Sequence, residues 1–183
     1  MKLFLQFKLF FVLCLFSNIY AFGQLKIEDR KVNYGYRVGH NRNVDVIIVH
    51  STYNIQNEDI YNIDLVLKQF RNYKVSSHYI INREGIVYRL VDEKNIAFHA
   101  GKSRIPDGRM GVNQFSIGIE LINSNTDSPT ELQIQSLVKL VTEIKSRYNI
   151  KYVLRHSDIA PTRKTDPWNM NWEDFITKIS VVN

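Results

Sequence analysis

"VDVIIVHST", residues 44–52, is a largely apolar run of Val and Ile. A short stretch of this kind, rich in β-branched residues, reads as a strand buried on both faces, as in parallel sheets covered by helices. Its apolar part ends at His50. In α/β folds ligand sites gather at strand ends, which makes His50 a candidate site residue from position alone.

Working outward, the neighbouring segments alternate in period. "NEDIYNIDLVLKQFRNY" (57–73) places Ile60, Ile63, Leu67 and Phe70 at helical spacing, which predicts an amphipathic helix. "HYIINREGIVYRLV" (78–91) reads as a hairpin, two apolar strands joined by an "NREG" turn. "FSIGIELIN" (115–123) predicts a strand with Ile117, Ile119 and Leu121 on one face and Glu120 on the other. "SPTELQIQSLVKLVTEIKSRY" (128–148) predicts a helix capped by Ser128, with Pro129 in its first turn and Glu131 closing a capping box. Leu137, Leu140, Val141 and Ile144 form its buried stripe. "KYVLRH" (151–156) is a short strand that delivers His156, and "WEDFITKI" (172–179) is a closing helix. Strands alternating with helices give an α/β fold with a central mixed β-sheet flanked by helices.

The amino terminus reads differently. "MKLFLQFKLFFVLCLFSNIYAFGQ" has Lys2 and Lys8, an apolar stretch from Leu9 to Phe16, and small residues at Ala21 and Gly23. That is the layout of a secretory signal peptide over residues 1–23, with cleavage before Gln24 or after Ala21. The apolar run is short for a membrane span. Residues 24–183 then form a single domain, expected to be secreted or periplasmic, monomeric and without stable membrane insertion. They keep 22 of the 24 basic residues against 18 acidic ones, a net +4, and lose Cys14, the only cysteine. Without cysteine there is no disulfide and no thiol nucleophile. The modest positive charge suits an anionic surface such as a cell wall, and no aromatic-basic motif argues for nucleic acid.

The loop "HSDIAPTRKTDPW" (156–168) is dense in ligand-type side chains and broken by Pro161 and Pro167. Two strand-end histidines, His50 and His156, with one carboxylate are a three-ligand set of the catalytic zinc type, leaving a fourth position for water. Glu120, an acid inside an apolar strand, is a candidate general base. Lys164 is a candidate positive partner for an oxyanion. The plain alternatives stand beside these. A strand-end His is more often a hydrogen-bonded core or loop residue, Glu120 could face solvent, and Asp158 and Asp166 could both be turn-makers. Spacing does not decide among them.

Four segments together do. "HSDIAPTRKTDPW" resembles the H-x-D/N-I-A-P-x-R-K-x-D-P segment of the zinc-dependent N-acetylmuramoyl-L-alanine amidases, the superfamily that also contains the peptidoglycan recognition proteins. "VIIVHST" resembles their first ligand strand, "SSHYIINREGIVYRLVDEKNIAFHAG" their hairpin and HAG turn, and "NQFSIGIEL" their N-x-x-S-I-G-I-E strand. The order and approximate distances agree over residues 44 to 176. The resemblance implies a zinc site in a surface cleft, with His50, His156 and Asp166 as ligands to one Zn2+, Glu120 as the catalytic acid and Lys164 near the metal. Asp158 is left with a loop-shaping part. The hairpin and HAG turn would line the groove, which makes Phe98, His99 and Asn113 candidate substrate contacts, while His78 reads as packed and structural. The implied activity is hydrolysis of the amide between N-acetylmuramic acid and L-alanine in peptidoglycan or muropeptides. The alternative is a non-catalytic binding module of the same superfamily. The chain departs from the pattern at Phe98, where many members have Trp, at Gly111, where the anhydro-muropeptide enzymes carry a basic residue, and at Trp168 in place of Gly.

Overall fold

The computed structural model describes residues 25–56 and 59–181. The expected signal peptide and Cys14 lie outside the described residues. Six strands form one sheet in the spatial order β1 (Ile27–Asp29), β5 (Val87–Arg89), β4 (Tyr79–Ile81), β7 (Ser116–Ile122), β3 (Val46–Thr52) and β8 (Tyr152–Arg155). Every pairing in it is parallel except the β4–β5 hairpin, so the sheet is mixed, as the sequence predicts. A separate antiparallel pair joins β2 (Tyr36–Arg37) to β6 (Ile96–Ala97).

The two central strands, β3 and β7, are buried along their whole length. On one face Ile47, Val49, Ile117, Ile119 and Leu121 pack with Leu137, Leu140, Val141 and Ile144 of helix α2 (Glu131–Arg147) and with Phe175 and Ile179 of helix α4 (Trp172–Val181). On the other, helix α1 (Ile63–Tyr73) sets Val66, Leu67 and Phe70 against Ile80 and Ile122. Beside it Ala100, Ile105 and Val112 cover Val46 and Ile48. Fully burying each such aliphatic side chain is worth about 1.5–3 kcal/mol, so the two-sided cover is what holds the centre of the sheet rigid. Among the described residues no helix is long and apolar enough to cross a membrane.

Two local expectations need correction. Helix α2 is capped by Thr130 and Gln133, not by Ser128 and Glu131: Thr130 Oγ1 accepts from Gln133 N at 3.1 Å and Gln133 Oε1 accepts from Thr130 N at 3.0 Å. Gln133 is preferred because its amide has a second task. Its Nε2 donates to the carbonyls of Ile81 and Ile122 at 3.1 Å each, tying the helix to the ends of β4 and β7. Helix α1 begins only at Ile63, because Asn62 Oδ1 caps Asp64 N and Leu65 N. Ile60 falls before it, where its carbonyl accepts from Asn54 N at 2.8 Å.

Candidate active site

Register builds the site. In the parallel β3–β7 pair, His50 lies opposite Glu120, and in the β3–β8 pair Val49 lies opposite Arg155. One step further along β8 falls His156, beside His50. There the strand ends and a single helical turn, α3 (His156–Ile159), begins. The loop containing His156 is therefore not wholly irregular. Asp158 caps that turn, accepting from Arg155 N at 2.9 Å and from Arg155 Nε at 3.0 Å. The chain then returns through Pro161, and Asp166 comes back beneath the two histidines.

His50, His156 and Asp166 each offer one ligand atom, and these atoms all lie within 4.8 Å of one another. His50 Nδ1 and His156 Nδ1 face each other at 2.9 Å. Asp166 Oδ2 lies 3.2 Å from His156 Nδ1 and 3.6 Å from His50 Nδ1. All three side chains are buried. Burial, and then the neighbouring His156, push His50 down to about 4, which keeps its imidazole neutral. Burial alone would raise Asp166, but hydrogen bonding to His156 and His50 wins and holds its carboxyl well below the ordinary range. Two imidazole nitrogens converging with an ionised carboxylate are the donor set of a divalent transition metal. Asp158 is not part of the group.

Glu120 sits on the same face. Its Oε2 is buried and has no hydrogen-bond partner. Burial, reinforced by the negative charge of Asp166 and opposed by Lys164, pushes its carboxyl up to about 8. A buried acceptor with nothing to accept from carries a penalty of about 1–3 kcal/mol in the fold, which is common where the group has a task with a ligand.

These residues floor a cleft of about 640 Å³. His99, Phe98 and Lys164 line it, together with Tyr73 and Gln69 from α1 and with Arg163 and Trp168 from the 156–168 loop. Asn113 does not line it. Its Oδ1 accepts from the backbone N–H groups of His99 and Ala100, at 3.2 and 2.8 Å, and so holds the HAG turn from behind. Trp168, for which the sequence offers no role, stacks edge-on against Tyr53 with ring centroids 5.7 Å apart and donates Nε1–H to Thr165 Oγ1 at 2.9 Å. Arg163 Nη2 donates to the carbonyls of Ala100 and Lys102, fastening the 156–168 loop to the HAG turn.

His78 is buried behind the cleft. Its Nδ1 accepts from Gly118 N at 3.0 Å, and Arg42 Nη1 lies 3.0 Å from its Nε2. Arg42 is a residue the sequence reading passes over entirely. Its guanidinium donates to the carbonyls of Glu93, Asn95, Asn113, Gln114 and Ser116, joining the loops that flank β6 and β7. Burial lowers it to about 10. No local motif marks such a role, because its acceptors are all main-chain atoms distant in sequence.

Residues 40–169 match the family described as N-acetylmuramoyl-L-alanine amidase. Among curated relatives, the 1,6-anhydro-N-acetylmuramyl-L-alanine amidase AmpD of Haemophilus influenzae is 36% identical over 110 residues, covering 58% of this chain and 59% of that protein. The N-acetylmuramoyl-L-alanine amidase AmiD of Escherichia coli is 35% identical over 142 residues, 68% of this chain and 49% of that protein. The chain thus spans between about half and three fifths of the length of these two relatives. Among solved structures, the crystal structure of a Se-Met AmpD derivative superposes with a TM-score of 0.70 at 30% identity, over 83% of this chain and 94% of that one. The complex of E. coli AmiD with anhydro-N-acetylmuramic acid-L-Ala-D-gamma-Glu-L-Lys superposes with a TM-score of 0.63 at 31% identity, over 74% of this chain and 57% of that one.

Proposed function

The chain belongs to the N-acetylmuramoyl-L-alanine amidase family, and from that premise we propose that it hydrolyses the amide bond between N-acetylmuramic acid and L-alanine in peptidoglycan or its muropeptide fragments. The observation that carries the reading is the juxtaposition of His50, His156 and Asp166 with the unpartnered Oε2 of Glu120 at the floor of one cleft. A binding module needs the cleft but has no use for a buried, unsatisfied carboxylate beside a set of metal donors.

The donor chemistry, two imidazole nitrogens and a carboxylate oxygen, fits Zn2+ better than the all-oxygen shells of Mg2+ or Ca2+. When bound, zinc polarises a carbonyl and lowers the pKa of a coordinated water to about 7. His50, His156 and Asp166 would hold the ion. Glu120 Oε2 takes the proton of the attacking water and passes it to the leaving amine of L-alanine. The Lys164 ammonium, on the cleft wall, stabilises the negative oxygen that develops on the lactyl carbonyl. Phe98 and Tyr73 offer apolar wall to the sugar, and Arg163 adds positive charge for the carboxylates of a stem peptide.

The charge and apolar pattern of residues 1–23 support export, which would bring the enzyme to the cell wall. The test is to incubate the purified protein with peptidoglycan, with and without a chelator. Free stem peptide should appear, stop on chelation and return with added zinc. Tight binding to the wall with no release would replace the reading with the recognition module.

A further inference from the structure

On the cleft side of β7 the alternate residues are Ser116, Gly118, Glu120 and Ile122; Ile122 packs against α1, and of the other three only Glu120 has been given a chemical task. Ser116 Oγ lies 2.7 Å from the carbonyl oxygen of Val112, which can only accept, so the single hydroxyl proton is donated there. The same Oγ lies 3.1 Å from His99 Nε2, and with its proton committed it must accept. His99 therefore carries its proton on Nε2, and a neutral His99 has a bare Nδ1. That Nδ1 lies 3.0 Å from His50 Nε2. His50 must then be protonated on Nε2, which leaves its Nδ1 lone pair facing His156 and Asp166.

Gly118 makes this line of contacts sterically possible. A Cβ at this position would lie 2.4 Å from His99 Cγ and 2.6 Å from His99 Nδ1, closer than real carbons approach. The His99 ring thus rests on the bare backbone of β7. From the other side, Gly118 N donates to His78 Nδ1 and its carbonyl accepts from His78 N, both at 3.0 Å, so the seat itself is held in place.

We propose that Ser116, Gly118 and His99 are positioning residues that fix His50 as the Nε2–H tautomer, the form that presents Nδ1 to the metal. This rests on the metal reading above. His99, on this account, serves the ligand His50 as well as lining the cleft. Partners that lock the second nitrogen of a metal-binding imidazole typically change metal affinity by about 10–100-fold when removed.

The decisive measurement is the histidine side-chain 15N–1H correlation spectrum of the metal-free protein. His50 and His99 should both appear as Nε2–H tautomers. Finding His50 as the Nδ1–H form overturns the proposal and needs no variant. Zinc titration then reads the consequence. Ser116→Ala and Gly118→Ala should each weaken zinc binding by about 10–100-fold, and Ser116→Ala should leave His50 a mixture of tautomers. Undiminished zinc affinity in both variants also overturns it. A protein that binds no zinc sinks the metal reading itself. One that binds zinc tightly but is indifferent to Ser116 and Gly118 sinks only this inference.

Discussion

The two faces of β7 are made by alternate residues of one seven-residue strand and obey different rules. Ile117, Ile119 and Leu121 point toward α2 and α4, where any apolar group of the right volume would gain its transfer free energy. On the opposite face Ile122 packs under α1, but at the three alternate positions before it kind matters as much as volume. Ser116 is needed for a hydroxyl, Gly118 for the absence of a side chain, and Glu120 for an ionisable oxygen left without a partner. Substitution on the first face costs stability in proportion to the volume removed. At Ser116 and Glu120 of the second face, substitution should alter chemistry in a fold that persists.

The largest effect that separates the faces should come from Glu120→Gln. Muropeptide turnover should fall by roughly 10²–10⁴-fold, the usual worth of a general acid–base, while zinc content by elemental analysis stays at the unsubstituted level. Its counterpart is Ile119→Ala, which should lose ~2–5 kcal/mol in denaturant titration and keep its turnover per folded molecule. Equal losses of turnover in the two would erase the distinction between the faces.

A smaller effect concerns pH. Burial pushes Glu120 from 4.5 up to about 8 in the metal-free fold. Below 4.5 the carboxyl is protonated whether the chain is folded or not, and it costs nothing. As pH rises from there, ionisation favours the unfolded chain, and the penalty is complete above about 8. Metal-free Glu120→Gln should therefore melt with the unsubstituted protein near pH 4 and several degrees above it near pH 9, read by calorimetry. An equal difference at both pH values would show that the carboxyl is not held neutral. The smallest effect should be that of Ile117→Val, a loss of about 0.5–1.5 kcal/mol with zinc affinity unmoved.

What the sequence discloses follows the same division. The apolar face is legible because its signal is periodic, and alternation alone puts Ile117, Ile119 and Leu121 together. The ends of β3 and β8 are legible because an apolar run stops at His50 and at His156. The identity of Asp166 over Asp158 is not a matter of composition. It depends on α3, whose first turn uses Asp158 as its cap. Likewise Ser128–Glu131 and Thr130–Gln133 are equally good capping patterns, and only the carbonyls at the ends of β4 and β7 select the second. Asn113 and Arg42 lie beyond local reading for the same reason. Their partners are main-chain atoms brought near by the fold. The resemblance to the amidase family marks the candidate positions, and the register between β3 and β7 gives the physical reason that His50 and Glu120 share a face.

The most direct test of the whole account is the mass of the products formed from one defined muropeptide, an N-acetylmuramoyl sugar carrying a single stem peptide. Two products are expected whose masses sum to the substrate plus one water: a free peptide beginning with L-alanine and a sugar ending in its lactyl carboxylate. Cleavage elsewhere in the sugar or the peptide, or an intact muropeptide recovered from a zinc-loaded protein, would contradict it.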